Sequence, residues 1–385
     1  MVRPLVLTLA TLLLAACTSV GGLPASPSGS FPVATAPTPQ AAAGPAEARP
    51  TPNGCTVTVD GNATSGPVFV ALADRGNDGV AFLLDRVTGA VRGRVDIGGA
   101  PEGAVDWRGK RLFLFCSVAG TARLVAYDLS SLREQWQIPV ESRSITKAPG
   151  GLPALAVGGS GRFALVLHYK TVRPGDAYAP GASITWLTAY DARTGVEQGR
   201  VDFPDCVAAR IFVASDGAAY VMCRDQLYAI DTTTWSVAQA FPFSGSVGSV
   251  GIVGDRTIYG VTRELEVSAM NLKTGETTRI GKSNGTGATA QAWGELTIAP
   301  SGSTVWVISK ASGDRAEYDP DTLAIVSLNT WSVFETRIPH LRGVGLVGAR
   351  VVYGAGGSLR STDGAIDKAL IEGRLDYWHI FADHN

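Results

Sequence analysis

The stretch from Phe82 to Phe115, FLLDRVTGAVRGRVDIGGAPEGAVDWRGKRLFLF, alternates apolar and polar residues, breaks at Asp85 and Thr88-Gly89, and then resumes. A period of two over short runs predicts β-strands, and breaks rich in Asp, Thr and Gly predict tight turns. On this pattern one strand reaches Leu84, a turn runs from Asp85 to Gly89, and the next strand spans Val91 to Ile97. Gly98 to Gly103 then crosses to the next unit.

The unit recurs. Asp85-Arg-Val-Thr88-Gly89 returns as Asp128-Leu-Ser-Ser131, Asp191-Ala-Arg-Thr194-Gly195, Asp231-Thr-Thr-Thr234 and Asn271-Leu-Lys-Thr274-Gly275, at steps of 43, 63, 40 and 40 residues. Each Asp or Asn is expected to end a strand and accept hydrogen bonds from the turn amides, with Gly closing the turn because it tolerates positive φ. Val250 to Gly260 matches Val344 to Gly354 at seven of eleven positions, and Thr234-Trp-Ser-Val237 returns as Thr330-Trp-Ser-Val333. A period near 40 built from short strands predicts an all-β fold, a β-propeller with one four-stranded sheet per blade.

Blade starts fall near Gly66, Gly103, Leu152, Val207, Gly248, Trp293 and Gly343, which gives seven blades, with eight left open by the Asp-turn-like Tyr318-Asp-Pro-Asp-Thr322. The Trp331 echo instead puts the sixth turn near Asn329 and makes Tyr318 part of an insertion. The segment Cys55 to Asp60 is expected to close the ring as an outer strand of the last sheet. Gly343-Val-Gly345-Leu-Val-Gly348 spells a dinucleotide-binding fingerprint, but a strand pattern follows it where a helix would be needed, so it is read as a hairpin.

The run VTGAVRGRVDIGGAPEGAV followed by RLFLF (residues 87–115) resembles the YVTN-type repeat of bacterial propellers. That resemblance implies a fold and no particular activity. The quinoprotein-like repeat resembles Asp-x-x-Thr-Gly-x-x-x-Trp in most blades; here only Asp128 has its partner, Trp136, while Gly93, Gly199, Gln239 and Arg279 stand elsewhere. Pyrroloquinoline quinone is therefore not expected, nor any other cofactor.

The N-terminus supplies an address. Arg3 precedes an apolar run from Leu5 to Leu14 that ends Leu14-Ala15-Ala16-Cys17, too short to span a bilayer as a mature helix. It resembles a bacterial lipoprotein signal, which implies cleavage before Cys17 and lipidation of its thiol and new amino group. Residues 1–16 are then the signal peptide. From Thr18 to Gly54 the chain is rich in Pro, Ala, Ser, Thr and Gly, with few large apolar groups. Such a segment cannot bury enough surface to fold and reads as a disordered tether reaching about 35 Å. Residues 17–54 thus form the lipidated Cys and tether, and 55–385 the propeller.

Four cysteines remain, an even number in an exported chain. Cys206 and Cys223 flank one hairpin around Ser215-Asp216-Gly217 and are expected to pair, leaving Cys55 with Cys116; buried free thiols at Cys116 and Cys223 are the competing reading. The chain carries 33 Lys and Arg against 34 Asp and Glu, net charge −1, and no basic stripe, so nucleic acid is not an expected partner.

No HExxH, CxxC or Walker loop occurs, and no catalytic residue or metal ligand is assigned. A His168 and His340 metal pair, or calcium held by Asp314, Glu317, Asp319 and Asp321, is outweighed by ordinary structural roles. Two insertions stand out: YKTVRPGDAYAPGAS after His168 and KASGDRAEYDPDT after Ser309. Both interrupt the link between second and third strands, on the face that also carries blade-to-blade crossings. The candidate binding residues are Tyr169, Lys170, Arg173, Asp176 and Tyr178 from the first, Arg315, Glu317 and Tyr318 from the second, and Trp293 and His340 from crossings. Glu102 and Arg143 belong to crossings of the same face. Long polar loops are often only solvated decoration; Tyr, Trp and Arg on a rigid scaffold favour recognition. The expected protein is an envelope lipoprotein, monomeric and tethered to the membrane only by lipid, whose propeller binds a protein, peptide or glycan. The alternative is an exported propeller hydrolase or lyase, with or without a metal, acting at the channel mouth.

Overall fold

The computed structural model describes the strands given below, from Glu47 to Ala382, and most of the turns between them. Residues 1–46, 141–154, 172–182, 283–289, 312–320 and the shorter breaks between strands lie outside the described residues. The described chain is all-β. A single 3₁₀ turn at Gly159–Gly161 is its helical content.

The strands form seven antiparallel sheets, numbered here in chain order. Sheet 2 runs Gly103–Asp106, Arg111–Val118, Thr121–Asp128 and Glu134–Val140, each strand paired with the next in sequence. Sheet 3 (Leu155–Gly158, Phe163–Thr171, Ser183–Asp191, Glu197–Pro204) and sheet 4 (Arg210–Val213, Ala219–Cys223, Gln226–Asp231, Ser236–Pro242) repeat that order. So do sheet 5 (Val247–Val253, Thr257–Thr262, Glu266–Asn271, Thr277–Lys282) and sheet 7 (Leu341–Val347, Arg350–Ala355, Ser358–Thr362, Asp367–Ile371). Sheet 6 has Thr304–Ala311, Asp321–Ser327 and Val333–Ile338, with the short strands Ala290–Gln291 and Leu296–Ile298 both paired to the first of these.

Sheet 1 is assembled from both ends of the chain. Val68–Arg75, Asp78–Asp85 and Val91–Ile97 follow one another, and Tyr377–Ala382 adds the inner strand, with Phe69 opposite Ala382 and Asp74 opposite Tyr377. On the outer edge Thr56–Val59 pairs with Val91–Ile97, and Glu47–Pro50 pairs with Thr56–Val59. This corrects the expected closure. The strand after Cys55 is an outer strand, but of the first sheet and not the last. Sheet 7 already holds four strands of its own, so the residues beyond it supply the inner strand that sheet 1 lacks. Glu47–Pro50 is also a strand, inside the segment read from composition as tether.

The inner strands of sheets 2 to 7 neighbour one another in chain order, and that of sheet 7 lies beside Tyr377–Ala382. Apolar side chains fill the spaces between sheets. Val70, Leu72 and Leu83 of sheet 1 meet Leu112, Leu114 and Tyr127 of sheet 2, whereas Phe69, Phe82 and Leu84, pointing the other way, meet Val347, Val352 and Leu359 of sheet 7. Similar clusters join sheet 2 to 3, 3 to 4 and 4 to 5. Sheets buried on both faces explain why runs such as Phe69–Ala73 are nearly continuous in apolar residues, with every side chain at 0 or 1% exposure.

A size match recurs where one sheet meets the next. Trp136, on the outer strand of sheet 2, lies over Gly195 in the turn of sheet 3 and donates from Nε1 to the Ala192 carbonyl at 3.2 Å. Phe241 of sheet 4 lies over Gly275, and Leu370 of sheet 7 over Gly89. At two further junctions, between sheets 1 and 2 and between sheets 3 and 4, the sizes are exchanged. Leu132, in the turn of sheet 2, fills the space above Gly93, and Trp235, in the turn of sheet 4, fills the space above Gly199. Gly89, Gly195 and Gly275 have φ of 74°, 71° and 73°; Leu132 and Trp235 hold φ of 51° at the same turn position. The left-handed conformation belongs to the turn, and where a large residue adopts it, burial of that side chain offsets the backbone cost of about 1–2 kcal/mol.

Candidate binding face

The turn carboxylates build one face. Asp85 Oδ1 accepts from the Val87 and Thr88 amides at 2.8 and 2.7 Å, Asp191 Oδ1 from Arg193 and Thr194 at 3.0 and 2.9 Å, and Asn271 Oδ1 from Lys273 at 2.8 Å. The amides of Gly89, Leu132, Gly195 and Gly275 then donate to the carbonyls of Asp85, Asp128, Asp191 and Asn271 at 2.8–2.9 Å. These are the bonds expected from the sequence. The Thr88 amide chiefly holds the Asp85 carboxyl far below the usual range; burial opposes it, and the Arg92 guanidinium and Thr88 hydroxyl reinforce it. At Asp128 and Asp191 burial also pulls upward, but hydrogen bonds from Ser130 and Ser131, and from Thr194 and Arg193, outweigh it. The links between first and second strands lie on this same face. Leu129 donates to the Lys110 carbonyl, and Ala192 to that of Arg162.

The opposite face receives the links between second and third strands. In sheet 3 that link is 172–182 and in sheet 6 it is 312–320, against 119–120 in sheet 2 and 224–225 in sheet 4. Both insertions therefore interrupt the strand pair expected from the sequence. Their bases are shorter than expected, because Tyr169, Lys170 and Thr171 continue the second strand of sheet 3 opposite Thr185, Ile184 and Ser183. Likewise Lys310 and Ala311 belong to Thr304–Ala311, and Asp321 and Thr322 to Asp321–Ser327. Tyr169 and Lys170 thus sit on strand backbone at the base of the link and not in a loop. Arg173, Asp176, Tyr178, Arg315, Glu317, Tyr318, Trp293 and His340 lie outside the described residues, as do Asp314, Asp319 and Arg143. Cys17 does too. The third and fourth strands of sheet 6 leave 328–332 for its turn, the segment that holds Asn329.

Below the sheet 3 insertion lies a stack that pattern reading did not find. His168 is 3% exposed, and its ring lies parallel to that of Trp186, centroids 4.9 Å apart. Arg200, one strand further out, places its guanidinium 4.7 Å from the Trp186 ring and pairs with Asp202 at 2.7 Å. His168 and Trp186 are cross-strand partners, so only the register brings them together. Burial first, and the Arg200 charge second, lower the His168 pKa to about 4 from 6.5. The unfolded chain then binds a proton between those values that the folded chain does not. Stability attributable to His168 is intact above pH 6.5, falls as the pH drops, and levels off below about 4, a loss of about 3 kcal/mol. His168→Phe, which keeps a stacked ring, is expected to flatten the denaturation midpoint across that window; an unchanged slope would show that other groups carry it. The turn carboxylates act lower, being lost only below the ordinary value of 3.8.

Both expected disulfides are present. Cys206–Cys223 has Cα atoms 5.1 Å apart, Cys206 lying on the crossing from sheet 3 to sheet 4 and Cys223 on the second strand of sheet 4. Cys55–Cys116, at 5.5 Å, ties the start of the outer strand of sheet 1 to the second strand of sheet 2. The free-thiol reading is set aside for both pairs. The glycine-rich Gly343-Val-Gly345-Leu-Val-Gly348 falls on Leu341–Val347 and the link to its antiparallel partner strand. A Cβ on Gly345 would meet Ile380 Cγ2 at 2.6 Å, so the glycine admits the C-terminal strand and is no phosphate cradle. Among the described residues no three His, Cys, Asp or Glu side chains are grouped to hold a metal.

Successive four-stranded antiparallel sheets, inner strands abreast and the last packed on the first, settle the architecture. The fold is of the β-propeller type. No family model matches the sequence, and no curated protein matches it significantly. Among solved structures, a protein of unknown function from Desulfotomaculum acetoxidans aligns at 10% identity over 82% of this chain and 99% of that one, TM-score 0.57. An acylaminoacyl peptidase in complex with Z-Gly-Gly-Phe-chloromethyl ketone aligns at 13% identity over 85% of this chain, TM-score 0.52; this chain spans about half, 52%, of that peptidase. BamB from Moraxella catarrhalis aligns at 12% identity over 80% of this chain and 82% of that one, TM-score 0.46. At such identities the likeness speaks to fold alone.

Proposed function

We propose that this chain is an exported lipoprotein, anchored through Cys17 after removal of residues 1–16, whose propeller binds a protein, peptide or glycan of the cell envelope. Residues 17–54 act chiefly as the tether, and the body from Cys55 is a closed ring of seven blades. Two disulfides support an oxidising compartment outside the cytoplasm. The observation that carries the reading is the common strand position of the two long links, 172–182 and 312–320. Both leave the body opposite the turns that Asp85, Asp128 and Asp191 lock with hydrogen bonds. One face is thus closed by these bonds, while from the other depart the long links whose sequences contain Tyr178, Arg315 and Tyr318, the residue types that dominate interfaces.

A photo-reactive amino acid placed singly at Tyr178, Tyr318, Val87 and Thr194 in living cells tests this. Adducts of one defined partner are expected from Tyr178 and Tyr318 and not from the two turn positions. Adducts from Val87 or Thr194 alone would move the binding surface to the other face.

A further inference from the structure

The outer strand of a propeller sheet leaves a row of backbone N–H and C=O groups unpaired, and proteins blunt such edges with charge, proline or a covering strand. Six outer strands here do so. Glu47–Pro50 carries Glu47, Arg49 and Pro50; the outer strand of sheet 2 has Glu134 and Pro139; that of sheet 3 has Glu197, Arg200 and Asp202. Sheets 5, 6 and 7 end in strands bearing Arg279 and Lys282, Glu335 and Arg337, and Asp367 and Lys368. The outer strand of sheet 4, Ser-Val-Ala-Gln-Ala-Phe-Pro from Ser236 to Pro242, bears no charge and meets proline only at its last residue. Residues 236–240 are all exposed, and Phe241 alone is turned into the core, at 3%.

We propose that this edge pairs antiparallel with the same strand of a second copy of the chain, about a two-fold axis at Ala240. The register supports that centre. A bulge opposite Ala229 and Ile230 interrupts the strand at Ala238, leaving Gln239 to Pro242 as a regular run opposite Ala229 to Gln226. Pairing about Ala240 sets Ala240 against its own copy and Gln239 against Phe241 on one face, with no like charges opposed. Under the same operation Arg200 of sheet 3 and Arg279 of sheet 5, which hold the positions equivalent to Ala240, would each be set against its own copy. In a twofold contact the residue on the axis meets its own copy, so an uncharged residue at that position lets the edge meet itself without repulsion. This departs from the monomer expected from composition and motifs, and it leaves the long-loop face free.

Full-length chain carrying Ala240→Cys, treated with a mild oxidant, is expected to form a covalent dimer several-fold faster than chain carrying Val87→Cys, an exposed turn position of sheet 1. By mass measurement in solution the parent is expected to dimerise with concentration. Ala240→Lys and Ala240→Glu should each weaken that dimer about 5-fold or more, and an equal mixture of the two should restore it. A parent that stays monomeric, cross-linking no faster than at Val87, or a dimer that Ala240→Lys leaves intact, would each overturn the proposal. So would a monomer whose 236–242 amides are protected only by an added uncharged peptide, since that would assign the edge to a foreign strand.

Discussion

Replacing Cys55 and Cys116 together by alanine is expected to lower the stability of the folded chain by about 4 kcal/mol. The bridge closes a segment of 61 residues, and in the chain-entropy account the loss grows with the logarithm of that length. The Cys206 and Cys223 pair, 17 residues apart, should cost about 3 kcal/mol on the same basis. Position amplifies the difference. Cys55 stands at the start of Thr56–Val59, which among the described strands pairs with the edge of sheet 1 and with Glu47–Pro50, so without the bridge backbone hydrogen bonds, Val57 and the partly buried Val59 are left to hold it. Chemical denaturation measures the total, and amide exchange at residues 56–59 should accelerate ahead of the rest of sheet 1. Equal stability of parent and variant would show that the bridge constrains neither state. A larger loss at Cys206 and Cys223 would show that loop length is not the governing factor.

The second large effect is expected where Trp235 fills the space above Gly199. Trp235→Gly removes an indole that packs edge-on against Phe163, centroids 4.9 Å apart, and should cost about 3–5 kcal/mol, reduced by relief of its positive φ. Gly199→Ala places a Cβ inside the indole and should cost about 1–3 kcal/mol. The double variant Gly199→Trp, Trp235→Gly copies the arrangement already present at Trp136 and Gly195. It is expected to recover more than about 1 kcal/mol relative to the sum of the single changes, the mark of two residues sharing one space. Simple addition of the two losses would mean that the alternation of large and small residues between sheets is coincidence.

This alternation accounts for two departures from the quinoprotein-like pattern, those at Gly93 and Gly199. Gly93 and Gly199 stand where that repeat carries tryptophan, and in both cases the bulky group comes from the next turn, as Leu132 and Trp235. A search for one residue at one position sees degeneration. The junctions are nevertheless filled, because what packing requires is a volume between two sheets, whichever strand supplies it.

Much of the chain was legible because the decisive interactions are local. Asp85, Asp128, Asp191, Asp231 and Asn271 bond amides two and three residues ahead, so their turns carry their own instructions. The Cys206 and Cys223 bridge and the strand positions of both insertions follow from hairpins of the same short reach. His168 on Trp186 was not legible, since a link of unpredictable register separates the two strands.

By itself the sequence determined the repeating antiparallel unit, its turns and the place of the two long links. Only the tertiary structure decided how the ends of the chain meet. Phe69 pairs with Ala382, Thr56 with Asp96, and Arg350 caps the Arg86 and Val87 carbonyls of the first turn from the last sheet. Many strands share the alternation that such edges require, so pattern cannot choose among partners hundreds of residues apart. The choice falls to the edges left open when the other sheets are complete, and to the apolar faces of Phe69 and Phe82 that must be covered by Val347 and Leu359.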